Sequence, residues 1–190
     1  MLSRIRSIRL VLPAAQQLAK AVYDERMLND VCFRLLMGSE RALLTTATLG
    51  NLNWCGERFS AIDVSTRPKF SRYTILDPRR GDFGWVAEIW SEFIGVVWAQ
   101  YLPPDDPGYG FLSEDTPEVS LWVRDDWRGL GLGRALLHRV RDEARARQVP
   151  QISLSVEADN YAKRLYMAEG FVDVAGHETD GVMAWSPYSR

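Results

Sequence analysis

Glycines alternate at 129, 131 and 133 in the run Arg128-Gly129-Leu130-Gly131-Leu132-Gly133-Arg134. A period-two apolar pattern precedes this run and a helical one follows it. Residues without a Cβ let the backbone take positive φ and let a ligand come close to the amides. The first four N–H groups of the following helix lack intrahelical acceptors and sit at the positive end of its dipole, so a turn of this kind suits a phosphate. Arg128 and Arg134 flank the helix start, where a cation costs about 0.3–1 kcal/mol unless an anion sits nearby. The alternative is a glycine turn that only lets strand and helix pack, with both arginines solvated.

The elements around this turn set the fold class. Val119, Leu121 and Val123 predict a strand, and Leu132, Ala135, Leu136, Val140 and Ala144 form one face of a helix with Arg134, Arg141, Asp142 and Arg145 opposite. Next come a strand at Ile152, Leu154 and Val156, a helix capped by Asp159 or Asn160, and a glycine C-terminus at Gly170-Phe171. A last strand pair, about Phe171 to Ala175 and Val182 to Trp185, encloses a turn with Asp180 and Gly181. Upstream, strands about Trp85–Trp90 and Gly95–Leu102 pair antiparallel through Ser91 and Glu92. A strand around Val31–Leu36 precedes a helix that Ser39 caps and that runs toward Trp54, with Gly50 a weak point inside it. The region Gly56 to Arg80 has no clear period, and Pro103 to Pro117 reads as a long loop. From residue 85 the order is strand, strand, strand, helix, strand, helix, strand, strand, which predicts an α/β fold with a mixed central sheet flanked by helices.

Composition narrows the function. With 190 residues the chain holds one domain plus an appendage. A net charge of -2 gives no general attraction to nucleic acid or an anionic membrane, so a small ligand is expected. Cys32 and Cys55 are too few for a disulfide framework and lack zinc-site spacing, so we expect reduced thiols and no metal. No apolar stretch approaches the roughly 20 residues of a membrane span, so a soluble, cytoplasmic protein is expected. A helix is predicted over Pro13 to Leu28. The basic start, with Arg4, Arg6 and Arg9, mildly resembles an organelle-targeting presequence, but an ordinary folded segment is the preferred reading.

A P-loop needs Lys-Ser or Lys-Thr after its last glycine, and Arg134-Ala135 stands here instead. A dinucleotide site needs the glycines on the first strand of the fold, whereas these come late. A pyrophosphate linked to pantetheine is left.

The segment from Val123 to Gly133 resembles the acetyl-CoA loop of the GNAT superfamily of N-acetyltransferases, whose signature of Arg or Gln, two residues, Gly, one residue, and Gly or Ala is met by Arg128, Gly131 and Gly133. A second segment, Asn160, Ala162, Leu165, Tyr166, Glu169, Gly170 and Phe171 after the strand at 152–156, is similar to that family's later helix. The resemblance covers about Val31 to Trp185. It implies a GNAT fold over residues 30–190 with residues 1–29 as a helical N-terminal extension, acetyl-CoA as co-substrate, and a primary amine of a small molecule or a protein N-terminus as acceptor. A catalytically inactive acyl-CoA-binding module and a non-enzymatic interaction protein are the rival readings, and a homodimer is left open.

The resemblance also suggests roles. Arg128, Gly129, Leu130, Gly131, Leu132, Gly133 and Arg134 would hold the pyrophosphate. Trp122 and Val123 would supply backbone N–H to the thioester carbonyl, and Tyr166 would protonate the departing thiolate. Asn160 is either a pantetheine contact or an N-cap. Glu118, on the strand face of Ser120 and Trp122, is either a base acting through water or a solvated strand end. Asn51, Trp54, Tyr109 and Phe111 are candidates for the acceptor pocket, although core packing explains Trp54 equally well. His138 is read as structural and His177 is assigned no role.

Overall fold

The computed structural model describes residues 30–188. The helix expected over Pro13 to Leu28 and the whole extension lie outside the described residues. The strands are β1 (Cys32–Leu35), β2 (Phe83–Ile89), β3 (Glu92–Gln100), β4 (Glu118–Val123), β5 (Ile152–Ser155), β6 (Val172–Asp173) and β7 (Val182–Trp185). The helices are α1 (Arg41–Leu52), α2 (Ala61–Thr66), α3 (Pro68–Ser71), α4 (Leu132–Ala146) and α5 (Ala162–Ala168). One seven-stranded sheet runs in the order β1-β2-β3-β4-β5-β7-β6. Its pairs are antiparallel except β4 with β5, which makes the sheet mixed as the element order predicted.

The hairpin between β2 and β3 turns one residue earlier than expected. Trp90 and Ser91 occupy it with φ of 48° and 68°. Left-handed positions of this kind are usually marked by Asn-Gly, and Trp-Ser hides the turn from a sequence reading. The expected Ser39 cap of α1 is also absent. The N-cap residue is Glu40, whose carboxylate accepts from Met37 N at 2.8 Å and from Arg34 at 2.6 and 2.8 Å. Arg34 also reaches Glu88 on β2, so an ion pair to the sheet fixes this helix start.

The unplaced region from Gly56 to Arg80 forms α2 and α3, with 3-10 turns at Arg72–Thr74 and Pro78–Arg80. A capping box between Ser60 and Asp63 starts α2. On α4 the buried face is Leu132, Leu136, Leu137, Val140 and Ala144, so Leu137 takes the place expected for Ala135. α5 ends in a Schellman motif, with Phe171 N donating to Tyr166 O and Gly170 N to Met167 O, and Gly170 at φ 84°. On the α1 side of the sheet, Leu43, Leu44 and Ala47 pack with Val86, Val96, Trp98 and Trp122.

Candidate active site

The parallel neighbours β4 and β5 share a single registered pair, Glu118 with Ser153, and then separate. A cleft of about 760 Å³ opens between them, with the glycine turn and the starts of α4 and α5 on one side and α1, α3 and the 103–117 loop on the other. Arg124 N donates to Ile94 O across β3, so the residues of β4 that donate to β3 are the even ones. Period two then turns the N–H of Val123 and Leu121 toward the opening beside β5. The N–H of Trp122 faces β3. Of the two residues expected to offer a backbone N–H, only Val123 turns it to the cleft, and Trp122 lines the wall with its side chain.

Beyond β4, Arg128 folds back so that its Nε donates to Val123 O at 3.0 Å while its guanidinium pairs with Asp125 at 2.7 Å. Gly129 and Gly131 take φ of 79° and 89°, and neither has a heavy atom within 4 Å of where a Cβ would stand. Gly131 is the N-cap of α4, which receives no side-chain cap and has no acid in its first turn. The helix thus presents uncapped N–H groups to the cleft, the arrangement that suits an anion. Gly133 is different. It is helical, and a Cβ there would meet Leu165 Cδ2 at 3.2 Å, so its lack of a side chain lets α4 approach α5. The side chains of Leu130 and Leu132 do not line the cleft, and Leu132 is core. Only their backbone can serve a ligand.

Arg134 is not an unpaired cation at the helix start. Its Nε donates to Glu169 Oε1 at 2.6 Å, and the other Glu169 oxygen meets His138 Nε2 at 2.7 Å and Arg141 at 2.9 Å. Glu169 is buried, which would raise its pKa, but the hydrogen bonds from His138 and Arg134 outweigh burial and hold it below the usual carboxylate range. Three side chains of α4 thereby clamp the end of α5. His138 has the structural place expected for it.

Asn160 Oδ1 accepts from Ala162 N at 2.9 Å, an Asx turn one residue ahead of the α5 N-cap, Tyr161, so Asn160 is not the N-cap itself, and the residue also lines the cleft. Tyr166 lines it too, with its ring edge-on to Phe171 at 5.8 Å between centroids. Burial, followed by the influence of Tyr161, pushes its phenol above the ordinary value.

Glu118 is no solvated strand end. It is 5% exposed, and burial raises its carboxyl to about 7 against the opposing effects of a hydrogen bond from Tyr73, the Gly110 N–H and Arg72. Asn51 and Tyr109 line the cleft as expected. Trp54 does so while donating to Glu157 Oε2 at 2.6 Å, a bridge from the end of α1 to the end of β5. Phe111 instead packs against the core on the α1 side. The sequence reading missed Tyr73, Arg58, Glu157 and Tyr161, which also line the cleft. Arg58 and Tyr73 lie in the stretch without a period, and Glu157 and Tyr161 sit between β5 and α5, where no pattern is carried. Among the described residues no cluster of three or more His, Cys, Asp or Glu is placed to hold a metal ion, and no helix is long and apolar enough to cross a membrane.

Residues 49–171 match the acetyltransferase (GNAT) family. Mycothiol acetyltransferase of Beutenbergia cavernae is 46% identical over an alignment that takes in 90% of this chain, which spans 64% of that protein's length. Among solved structures, PaiA N-acetyltransferase of Thermoplasma acidophilum in complex with coenzyme A superposes with a TM-score of 0.61 at 16% identity, over 82% of this chain and 98% of that one. The protein yncA of Salmonella typhimurium with its cofactor acetyl-CoA gives 0.58 at 20% identity, over 85% and 96%. At such identities these two likenesses speak for the fold. With the matched segment running from the end of α1 through the glycine turn to the close of α5, the chain belongs to the GNAT acetyltransferase family.

Proposed function

We propose that this chain is an N-acetyltransferase that moves the acetyl group of acetyl-CoA to a primary amine by direct attack within a ternary complex. The observation that carries this reading is the uncapped N-terminus of α4, opening at Gly131 onto the same cleft that the Val123 N–H faces. The amides from Gly129 to Arg134 hold the pyrophosphate, with Arg128 and Arg134 beside it. Asn160 lies along the pantetheine path. Acetyl-CoA supplies the activated acetyl thioester when bound. The Val123 N–H donates to its carbonyl oxygen, where a donor fixed in place beforehand favours the charge that develops. Glu118 takes the proton that the amine must lose, and Tyr166 supplies one to the departing sulfur.

The acceptor is a small molecule or a protein N-terminus. The resemblance to mycothiol acetyltransferase makes small molecules related to mycothiol the first acceptors to try. The free thiols Cys32 and Cys55 fit a reducing compartment, and we place the reaction in the cytoplasm. The test is native mass spectrometry for bound CoA, followed by thiol release from acetyl-CoA on a panel of primary amines. CoA release with one class of amine is the expected result. Retention of CoA without release on any amine would overturn the enzymatic reading.

A further inference from the structure

Glu118 cannot easily meet an acceptor by itself. One carboxylate oxygen, Oε2, has no exposed area and no well-aligned hydrogen bond, and it is packed so closely on Gly108 that a Cβ there would overlap it. Gly110 seals the same point from above. Its Cα lies so near the Leu154–Ser155 backbone of β5 that a Cβ would come within 2.6 Å of Leu154 C. The segment Gly108-Tyr109-Gly110 thus plugs the wedge where β4 and β5 part. The other oxygen, Oε1, is occupied by the hydroxyl of Tyr73, which donates to it at 2.8 Å.

We infer that Tyr73 is the group that touches the acceptor amine, passing its proton to Glu118 through the phenol. This rests on the reading of Glu118 as the base. The Tyr73 oxygen accepts one hydrogen bond, from Tyr109 N at 2.8 Å, and gives its own proton to Glu118, which leaves an acceptor position on the oxygen. Tyr73 and Glu118 line the same cleft as Asn51 and Tyr109. In the step, an N–H bond of the ammonium breaks and its proton joins the Tyr73 oxygen. The Tyr73 O–H bond breaks in the same event, and that proton joins Glu118 Oε1. The products are a neutral amine, an intact phenol and a carboxylic acid, so charge and protons balance.

The surroundings require a concerted transfer. Burial and the Glu118 charge both push the Tyr73 phenol well above its ordinary value, so a free tyrosinate is not formed on the way. Arg72 and the Tyr109 phenol are the other titratable groups that bear on this pair.

The position of Tyr73 is fixed from three sides. Gln100, buried on β3, donates to Arg72 O at 2.9 Å and to Ile75 O at 2.7 Å, and its own oxygen accepts from Trp98 Nε1 at 3.0 Å. Those two carbonyls belong to the first residue of the 3-10 turn that carries Tyr73 and to the residue that follows the turn. Arg72 then anchors the covering loop through Asp106 at 2.5 Å and through Pro107 O. The Tyr109 ring stacks parallel to that of Tyr73 at 6.3 Å.

The experiment compares Tyr73→Phe, Glu118→Gln and the double variant, using acetyl-CoA and the amine that the panel of primary amines shows to turn over fastest. The relay predicts a fall in kcat/KM of about 10²-fold for each single variant, and a double variant no worse than the weaker single one, because both residues serve one transfer. CoA affinity by calorimetry stays within a few-fold. A merely tuning Tyr73 would leave the high-pH plateau of the Phe variant intact and only move its ascending limb, which overturns the relay. Glu118→Gln at the wild-type rate overturns the base itself, and no turnover of any amine overturns the acetyltransferase reading and the relay with it. Since removing the hydroxyl also frees Tyr109 N and can unsettle the loop, a second measurement uses the wild-type protein alone. The single-turnover rate is followed against the deuterium fraction of the solvent. Two protons in flight give a bowed dependence, and a straight line overturns the relay.

Discussion

The indole of Trp122 lies against the backbone of Gly50 so closely that a Cβ on Gly50 would overlap Nε1. A glycine inside α1 is thereby explained by packing on β4. Replacing an interior helix glycine with alanine ordinarily gains about 1 kcal/mol. Here the added methyl must displace the indole or the helix, and overpacking of this kind costs about 1–3 kcal/mol. Gly50→Ala should therefore melt lower than the parent, by a few degrees. Thermal denaturation checks the sign, and a higher melting temperature would show that Trp122 gives way freely.

Gly131 and Gly133 belong to one motif but should respond differently. An alanine at 131 meets no atom, yet it must hold φ near 89°, which costs a non-glycine residue about 1–2 kcal/mol, and its side chain would stand in the proposed pyrophosphate site. Gly131→Ala should lower CoA affinity about tenfold or more, and Gly131→Val should abolish binding. Gly133→Ala only crowds Leu165, so it should act mainly on stability. Calorimetry with CoA separates them. Equal losses of affinity at the two positions would mean that the amides at 131 are not where the phosphate sits.

The order of elements after residue 85 was legible because each is long enough to show its period or is bounded by a recognisable cap, as at Gly170. The glycine turn was legible because positive φ leaves a mark in composition. Tyr73 was not, since it sits in a three-residue 3-10 turn held by Gln100 from a distant strand, and long-range hydrogen bonds leave no local pattern. The capping box at Ser60 and Asp63 is written in the sequence, but no apolar run follows it to mark a helix. The solvated alternative for Glu118 failed for a similar reason. Its burial comes from Gly108 and Tyr73, neither of which its own strand can announce.

Glu118 should leave a mark on stability as well as on rate. Its carboxyl is raised from 4.5 to about 7 in the fold, chiefly by burial, so the native state keeps a proton that the unfolded chain has lost across that window. Stability from this group is complete below the unfolded value and is lost as the pH rises through 7, by about 3 kcal/mol. Glu118→Gln carries no such charge. Its melting temperature relative to the parent should therefore be higher at about pH 8 than at about pH 4.5. Parallel curves for the two proteins would mean that the carboxylate is solvated after all.

Tyr166→Phe tests the supply of a proton to the departing sulfur. A phenol of pKa about 10 is already a weak donor to a thiolate whose conjugate acid lies near 8.5. Burial raises Tyr166 further, so the driving force shrinks and what is left is position, on the last turns of α5 beside Phe171. The expected loss in kcat is accordingly between about 10-fold and 10²-fold, at or below the low end for general acid catalysis. Acetyl-CoA affinity should change little, because the ring that packs on Phe171 is retained. The measurement is single-turnover acetyl transfer by both proteins to the same amine. It should be paired with a thioester whose leaving thiol is more acidic, since such a group needs less help from a donor. A variant that recovers toward the parental rate with the better leaving group identifies Tyr166 as the proton source, whereas an equal deficit with both thioesters makes it a packing residue and leaves departure of the thiolate to solvent.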